Sequence, residues 1–307
     1  MRRTALLLFN CALIVAWFTP AASATLVVYE PFAYTSGQRV LGQTNSSTGT
    51  SWLLAADAGA SGDTTAINVV SGNLTPPLSL QPATGNSAAI TGIGNLSGAS
   101  NRLAFNSAGT AITSGTIYYS LTLRIDSVAN SNTTTGGFFL GLNNTGNAAT
   151  GNPGAAAARL QSRRDPTDGT KYNLGVFRNV NAAAAANSWS GPLTPGETLF
   201  VVGSYEIVSG NQNDIARLWI NPGSLGDASP PAATLTDSTT GTGTDINIAS
   251  LLLRQSPAPF LTLDEIRVGT DWASVTAIPE ASPLFVLLLV SALFFAVRAK
   301  PWKLLGT

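Results

Sequence analysis

The 307-residue chain has no histidine, one cysteine, one methionine and only 10% charged residues. The missing histidine excludes Ser-His-Asp and Cys-His catalysis, together with zinc centres built on imidazole. Cys11 falls in an N-terminal segment with the marks of a removable leader, so residues 25–277 can form no disulfide. They must rely on a hydrophobic core, which a body of about 250 residues can bury as one large domain. A metal site here has only oxygen ligands to offer, which suit calcium or magnesium. An enzyme would have to work through carboxylates, tyrosines or Lys171, the one lysine of that body. Of the 16 basic and 16 acidic residues, five basic and one acidic lie outside residues 25–277, which leaves 11 and 15 and a net charge of −4. That sign, with no basic run, argues against nucleic-acid binding, which needs a clustered Lys/Arg footprint.

The two ends differ in kind from the body. Arg2 and Arg3 precede an apolar run from Ala5 to Phe18 and a small-residue site, Ala22-Ser23-Ala24. This is the pattern of a secretory signal peptide over residues 1–24, with the Sec translocon as partner and cleavage after Ala24. The alternative is a first transmembrane helix kept in place. At the other end, residues 281–297 carry no charge, and at about 1.5 Å per residue they span roughly 25 Å of a hydrocarbon core of about 30 Å. Arg298, Lys300 and Lys303 follow as a membrane stop, and Trp302 suits the interface. The basic residues at both ends place both in the cytoplasm and the body beyond the membrane. A buried C-terminal helix and a plain tail anchor are the competing readings.

Between the ends, apolar and polar residues alternate at period two. In "TIYYSLTLRID", Ile117, Tyr119, Leu121, Leu123 and Ile125 share one face; Tyr118, Ser120, Thr122 and Arg124 share the other. Residues 136–144, 171–179, 197–208, 214–222, 247–255 and 260–269 behave similarly, with weaker segments at "TLVVYEPF", "SWLLAAD", "AINVVSG", "SAAITGIG" and "NRLAFN". Turn clusters of Gly, Asn, Thr, Ser and Pro separate them, and no helical period of useful length appears. The expectation is an all-β, two-sheet antiparallel sandwich over residues 25–277. The alanine runs at 155–158 and 182–186, flanked by Asn and Gly, are read as loop, with short helical turns as the alternative.

Two resemblances add to this. Pro279 and Glu280, followed by the apolar stretch and the basic tail, resemble the PEP-CTERM sorting signal of Gram-negative bacteria, here over residues 278–303, with Ala281 where the family usually has a second proline. That implies an exosortase-type processing enzyme as partner. It also implies transient anchoring in the membrane, then release or transfer to the cell surface or extracellular polysaccharide. "VVYEPFAYTSGQRVLGQ" and "LTLDEIRVGTDWASVT" resemble the two ends of concanavalin A-like, laminin-G-like jelly rolls. That implies adjacent first and last strands, and a concave face or rim loops that often bind carbohydrate.

Candidate sites follow from these classes. A sugar ring stacks on an exposed aromatic, and Trp189 in "ANSWSGP" is the leading platform, with Tyr118 the second; Trp52, Trp219 and Trp272 read as core. Asp165 and Asp168 in "RRDPTDGTKY" bracket a turn and are candidate calcium ligands, against the plainer reading of an Asp-rich turn. Laminarinase-type glycosidases place paired carboxylates on one face of a strand about 5 Å apart. Asp264 and Glu265 are adjacent, so in a regular strand they point to opposite faces. The body therefore reads as a non-catalytic, carbohydrate-binding or matrix-structural module, with a carboxylate glycosidase as the competing class.

Overall fold

Nearly every alternating segment becomes strand in the computed structural model, which describes residues 25–55, 67–91, 100–148, 156–179, 189–240, 245–255 and 259–278. The leader with Ala22 and Ala24, and the tail with Pro279, Glu280, Arg298, Lys300 and Lys303, lie outside the described residues. Among the described residues, no helix is long and apolar enough to cross a membrane. The chain runs through Leu26–Glu30 (β1), Leu53–Ala55 (β2), Asn68–Val70 (β3), Ser87–Ile90 (β4), Ser100–Ala104 (β5), Gly115–Ser127 (β6), Gly137–Asn143 (β7), Ala156–Arg164 (β8), Tyr172–Phe177 (β9), Thr198–Ile207 (β10), Ile215–Ile220 (β11), Leu235–Asp237 (β12), Ser250–Arg254 (β13) and Phe260–Gly269 (β14). One helical turn follows, Trp272–Val275 (α1).

The strands form two antiparallel sheets. One has the order β12-β11-β10-β6-β14-β4-β3, with β1 also paired to β14; the other has the order β2-β5-β13-β7-β8-β9. Tyr29 lies opposite Arg267, so the first and last strands adjoin, as the jelly-roll resemblance implies. One face of each sheet meets the other in the main core. Val28, Ile117, Tyr119, Leu121, Leu123, Ile125, Val201, Leu263 and Val268 come from one side; Leu103, Phe139, Leu142, Leu160, Leu174, Leu251 and Leu253 come from the other. Each fully buried Leu, Ile, Val or Phe side chain contributes about 1.5–3 kcal/mol. This core does the work that disulfides do in many domains too small to bury one.

Two expectations are corrected here. Ala156, Ala157 and Ala158 are not loop: they start β8 and are fully buried, while 182–186 lies outside the described residues. Alternation fails there because Ala158 takes a positive φ of 43° and the register with β7 shifts nearby. The distorted backbone turns the Ala158 carbonyl to accept a hydrogen bond from Tyr119 Oη at 2.8 Å, which ties the two sheets together. The Tyr119 ring fills the space a side chain at Gly203 would need, which explains glycine in the middle of β10.

The second correction concerns the polar face of β6, which is covered. Trp219, Trp272, Phe200, Val202 and Val275 form a second apolar cluster on that side, with Leu78 and Leu80 packed against it. Ser120 and Thr122 are buried beneath, and the Ser120 hydroxyl donates to Val275 O at 2.6 Å. Asp271 caps the helical turn by accepting the Ser274 N–H at 2.8 Å, which seats Trp272 and Val275 on the sheet.

Candidate functional site

The covering segment is residues 71–86, "SGNLTPPLSLQPATGN". Three prolines deny it the donors and dihedral freedom of a helix or inner strand, so it crosses the eight-stranded sheet as an extended strap. Leu78 and Leu80, two apart, pack on the second cluster. The rest of the strap is held by side chains of β14. Leu74 N donates to Asp264 Oδ2 at 2.9 Å, Thr84 N donates to Glu265 Oε1 at 2.8 Å, and Arg267 Nη2 donates to Gln81 Oε1 at 3.1 Å. Asn73 Nδ2 closes the strap on itself through Ala83 O.

That both neighbouring carboxylates reach one strap overturns the expectation that they face opposite ways. Asp264 pairs with Thr122 and Arg267 with Ser120, so two residues, Glu265 and Ile266, oppose Leu121 alone. This is a β-bulge, and Glu265 at its centre has φ of 51°. Positive φ in a non-glycine residue costs on the order of 1 kcal/mol; the strap and Tyr29 Oη, which donates to Glu265 at 2.8 Å, hold it. Asp264 is 0% exposed. Burial pushes its carboxyl up to about 7, against the Leu74 and Glu265 N–H groups that favour its ionised form; the carboxylates of Glu265 and Glu30 add to the rise. Glu30 is also buried and raised. It accepts from Trp52 Nε1 and Tyr34 Oη at 2.8 and 2.6 Å, and from Asn45 Nδ2 and Phe32 N. Asp264 is sealed under the strap, while Glu265, 8% exposed, lines a narrow hollow of about 20 Å³ with Gln81 and Arg267.

Beside the strap the same sheet face is open. A cleft of about 370 Å³ lies between residues 70–74, the ends of β3 and β4, and the adjoining stretches of β6 and β14. Arg124 and Asp126 stand two apart on β6 and therefore on one face; Phe260 and Thr262 stand likewise on β14. Arg124 Nε donates to Asp126 Oδ1 at 2.5 Å, and Thr262 Oγ1 donates to Asp126 Oδ2 at 2.7 Å. Phe260 is 38% exposed, a large share for a phenylalanine. Asn73, Ser71 and Ser87 complete the polar lining. A smaller-walled hollow of about 350 Å³ on the strap's other flank is lined by its own residues, Pro76, Leu78, Leu80 and Pro82 among them, and has no charged group.

The sequence-derived candidates lie elsewhere. Trp189 is not an exposed loop platform: it is 7% exposed, bridges to Gly175 on the edge of β9, and packs edge-on against Phe177 with centroids 5.2 Å apart. Arg163 lies 4.5 Å over its ring, so no face remains for a sugar. Tyr118 is half-buried between Trp219 and Trp272, centroids 6.2 and 6.1 Å away, and belongs to the second cluster. Trp52, Trp219 and Trp272 are core, as read.

Asp165 and Asp168 build their own turn. The N–H groups of Asp168 and Thr167 and the Asn173 amide bond the Asp165 carboxylate and hold it below the usual range, with the Asp168 N–H the largest contributor. The Asp168 carboxylate accepts from the hydroxyl and N–H of Thr170 and is likewise lowered. Among the described residues, no group of three or more acidic side chains could hold a metal ion.

Phe260, Arg124, Asp126 and Thr262 were not singled out from sequence as a site. The available signal was the charged i, i+2 pair Arg124 and Asp126 on one face of a confidently alternating strand.

No protein-family model matches the chain, and no curated protein does. Among solved structures, it is similar to a conserved carbohydrate esterase of the Shiga toxin-encoding bacteriophage phi24B, at 13% identity over 77% of this chain and 98% of that one, with a TM-score of 0.41. It is also similar to the Emp47p carbohydrate recognition domain, at 8% identity, 70% and 99% coverage and a TM-score of 0.35. Peanut lectin matches at 10% identity, 71% and 94% coverage and a TM-score of 0.33.

Proposed function

We propose that the chain is an exported surface or matrix protein whose body is a non-catalytic carbohydrate-binding module. The cleft beside the strap carries the binding half of this reading. It combines an exposed aromatic ring, which can stack on the apolar face of a pyranose, with a fixed Arg124–Asp126–Thr262 array that can exchange hydrogen bonds with ring hydroxyls. The export half rests on the ends of the sequence. A Sec signal over residues 1–24 delivers the body, and the segment at Pro279 and Glu280, with its apolar stretch and basic stop, hands it to an exosortase-type enzyme. The glycosidase alternative loses its best carboxylates, because Asp264 and Glu265 are engaged by the strap.

Each half has its own test. Phe260→Ala and Asp126→Ala should each weaken co-sedimentation of the protein with the producing cell's extracellular polysaccharide, whereas wild-type binding should saturate. Saturable binding that survives both substitutions would remove the cleft from the reading. Mass spectrometry of the surface fraction should find Thr25 as the N-terminus and no peptide beyond the neighbourhood of Glu280. An intact "RAKPWKLLGT" end there would leave a membrane-anchored protein.

A further inference from the structure

Resting on the carbohydrate-binding reading, we infer that the cleft takes a neutral pyranoside with vicinal hydroxyls and discriminates against uronate and sulfated polymers. The charge balance of the lining leads to this class. Among the described residues, Arg124 and Asp126 are the charged ones that line the cleft, and they are paired at 2.5 Å, so the formal charge of that lining is zero. The pair forms a fixed dipole in the lining. Arg124 engages Asp126 through Nε, which leaves the donors of its two terminal amino groups for a ligand; its side chain is 38% exposed. Asp126 is in turn fixed by the Thr262 hydroxyl. Asn73, also in the lining, uses its amide nitrogen on Ala83 O, which leaves its oxygen as an acceptor. A lining that offers both donors and acceptors matches hydroxyls, each of which donates and accepts at once.

A carboxylate or sulfate is acceptor-only. It could use the Arg124 fork but would sit against the Asp126 carboxylate and the Asn73 oxygen with nothing to give them. Like-charge opposition and unmatched acceptors are the usual means of rejecting a wrong ligand. The longer-range field acts in the same direction, because residues 25–277 carry a net charge of −4. Phe260 adds no charge and stacks equally well on any pyranose face, so it supplies affinity while the Arg124–Asp126 pair supplies the choice.

The test is affinity electrophoresis of the full chain, purified in a mild non-ionic detergent, through gels containing a neutral β-glucan, a neutral galactomannan or alginate. At least one neutral polymer should retard the wild-type chain, and retardation should persist in about 0.5 M salt, where exposed charges are screened within a few ångströms. Phe260→Ala should weaken it about five- to tenfold, the share expected of one aromatic contact. Asp126→Asn leaves Arg124 unneutralised, so neutral binding should fall and salt-sensitive retardation by alginate should appear. Wild-type retardation by alginate alone, lost in salt, would overturn the neutral class while leaving carbohydrate binding intact. Neutral binding with no gain of alginate binding in Asp126→Asn would remove the charge balance as the basis of choice. No retardation by any polymer would overturn the carbohydrate reading itself.

Discussion

Asp264 should make the protein lose stability as pH rises through neutrality, opposite to the usual trend of acid denaturation. Its carboxyl is fully buried under the strap and pushed up to about 7, against an ordinary value of 3.8. A folded-state pKa above the unfolded value means that the native state holds the proton more tightly. The associated stability is complete below about pH 4 and is lost as pH rises through about 7. At about 1.36 kcal/mol per pKa unit the full change is about 4 kcal/mol, a large part of the 5–15 kcal/mol typical of a domain. Glu30, also buried and raised, changes stability in the same direction. Asp165 and Asp168, which are lowered, lose their contribution only as pH falls below about 4, outside this window. The absence of histidine clears the range from pH 5 to 8 of its usual titrating side chain. Between pH 5 and pH 8 about two of those pKa units are traversed, about 2.7 kcal/mol, so urea unfolding followed by tryptophan fluorescence should show a midpoint about 1 M lower at pH 8, for a slope of about 2–3 kcal/mol/M. Asp264→Asn, which mimics the protonated carboxyl in shape and charge, should remove most of that difference. A wild-type midpoint that is flat or rises over this range would refute the reasoning. A full slope retained in Asp264→Asn would reassign the titration to Glu30.

Three further outcomes follow from the packing. Gly203→Ala places a methyl group inside the Tyr119 ring and should cost about 1–3 kcal/mol of overpacking, read as a lower denaturation midpoint; Gly203→Ala with Tyr119→Leu should recover part of it. Trp189→Ala should lower stability by about 3 kcal/mol or more while leaving polysaccharide binding per folded molecule unchanged, because its ring is buried against Phe177 and Arg163. If cleavage occurs after Ala24, the new α-amine lies 2.7 Å from Asp271 Oδ2 where the amide of Thr25 now sits. The mature chain should then melt higher than the same chain carrying one extra N-terminal residue, and Asp271→Asn should erase the difference in differential scanning calorimetry.

The strands were legible because their outward and inward residues differ in kind. β6, β10 and β14 show period-two alternation along nearly their whole length, and the main core is the apolar half of each. β8 escaped because alanine carries little pattern and the positive φ at Ala158 breaks the period where it would have shown. β12, three residues long, is too short to carry a period at all. The cover over Ser120 and Thr122 was illegible for another reason: a polar residue satisfied by a covering carbonyl, as Ser120 is by Val275 O, looks the same in sequence as one satisfied by water. The bulge at Glu265 falsified a correct rule about regular strands, since one extra residue changes which neighbours share a side. Trp189 misled because Asn187, Ser188 and Ser190 around it are loop formers, while its ring answers to Phe177, twelve residues away.

The placement of β14 has a mechanical consequence. Its first residues line the cleft, and its last lead through the capped turn of α1 to residue 278, the last described residue before the proposed sorting segment. The strand is roughly 30 Å long at ten residues. It is bonded to β6 on one flank and to β4 and then β1 on the other. A polymer pulling at the cleft against an anchor at the C-terminal end would load this strand along its axis, at right angles to its ladder bonds. Those bonds then share the force and yield together. A pull at residue 25 instead opens β1 from β14 one pair at a time. The pairing of β14 thus resists a load drawn along that strand and gives way to one drawn at its β1 edge.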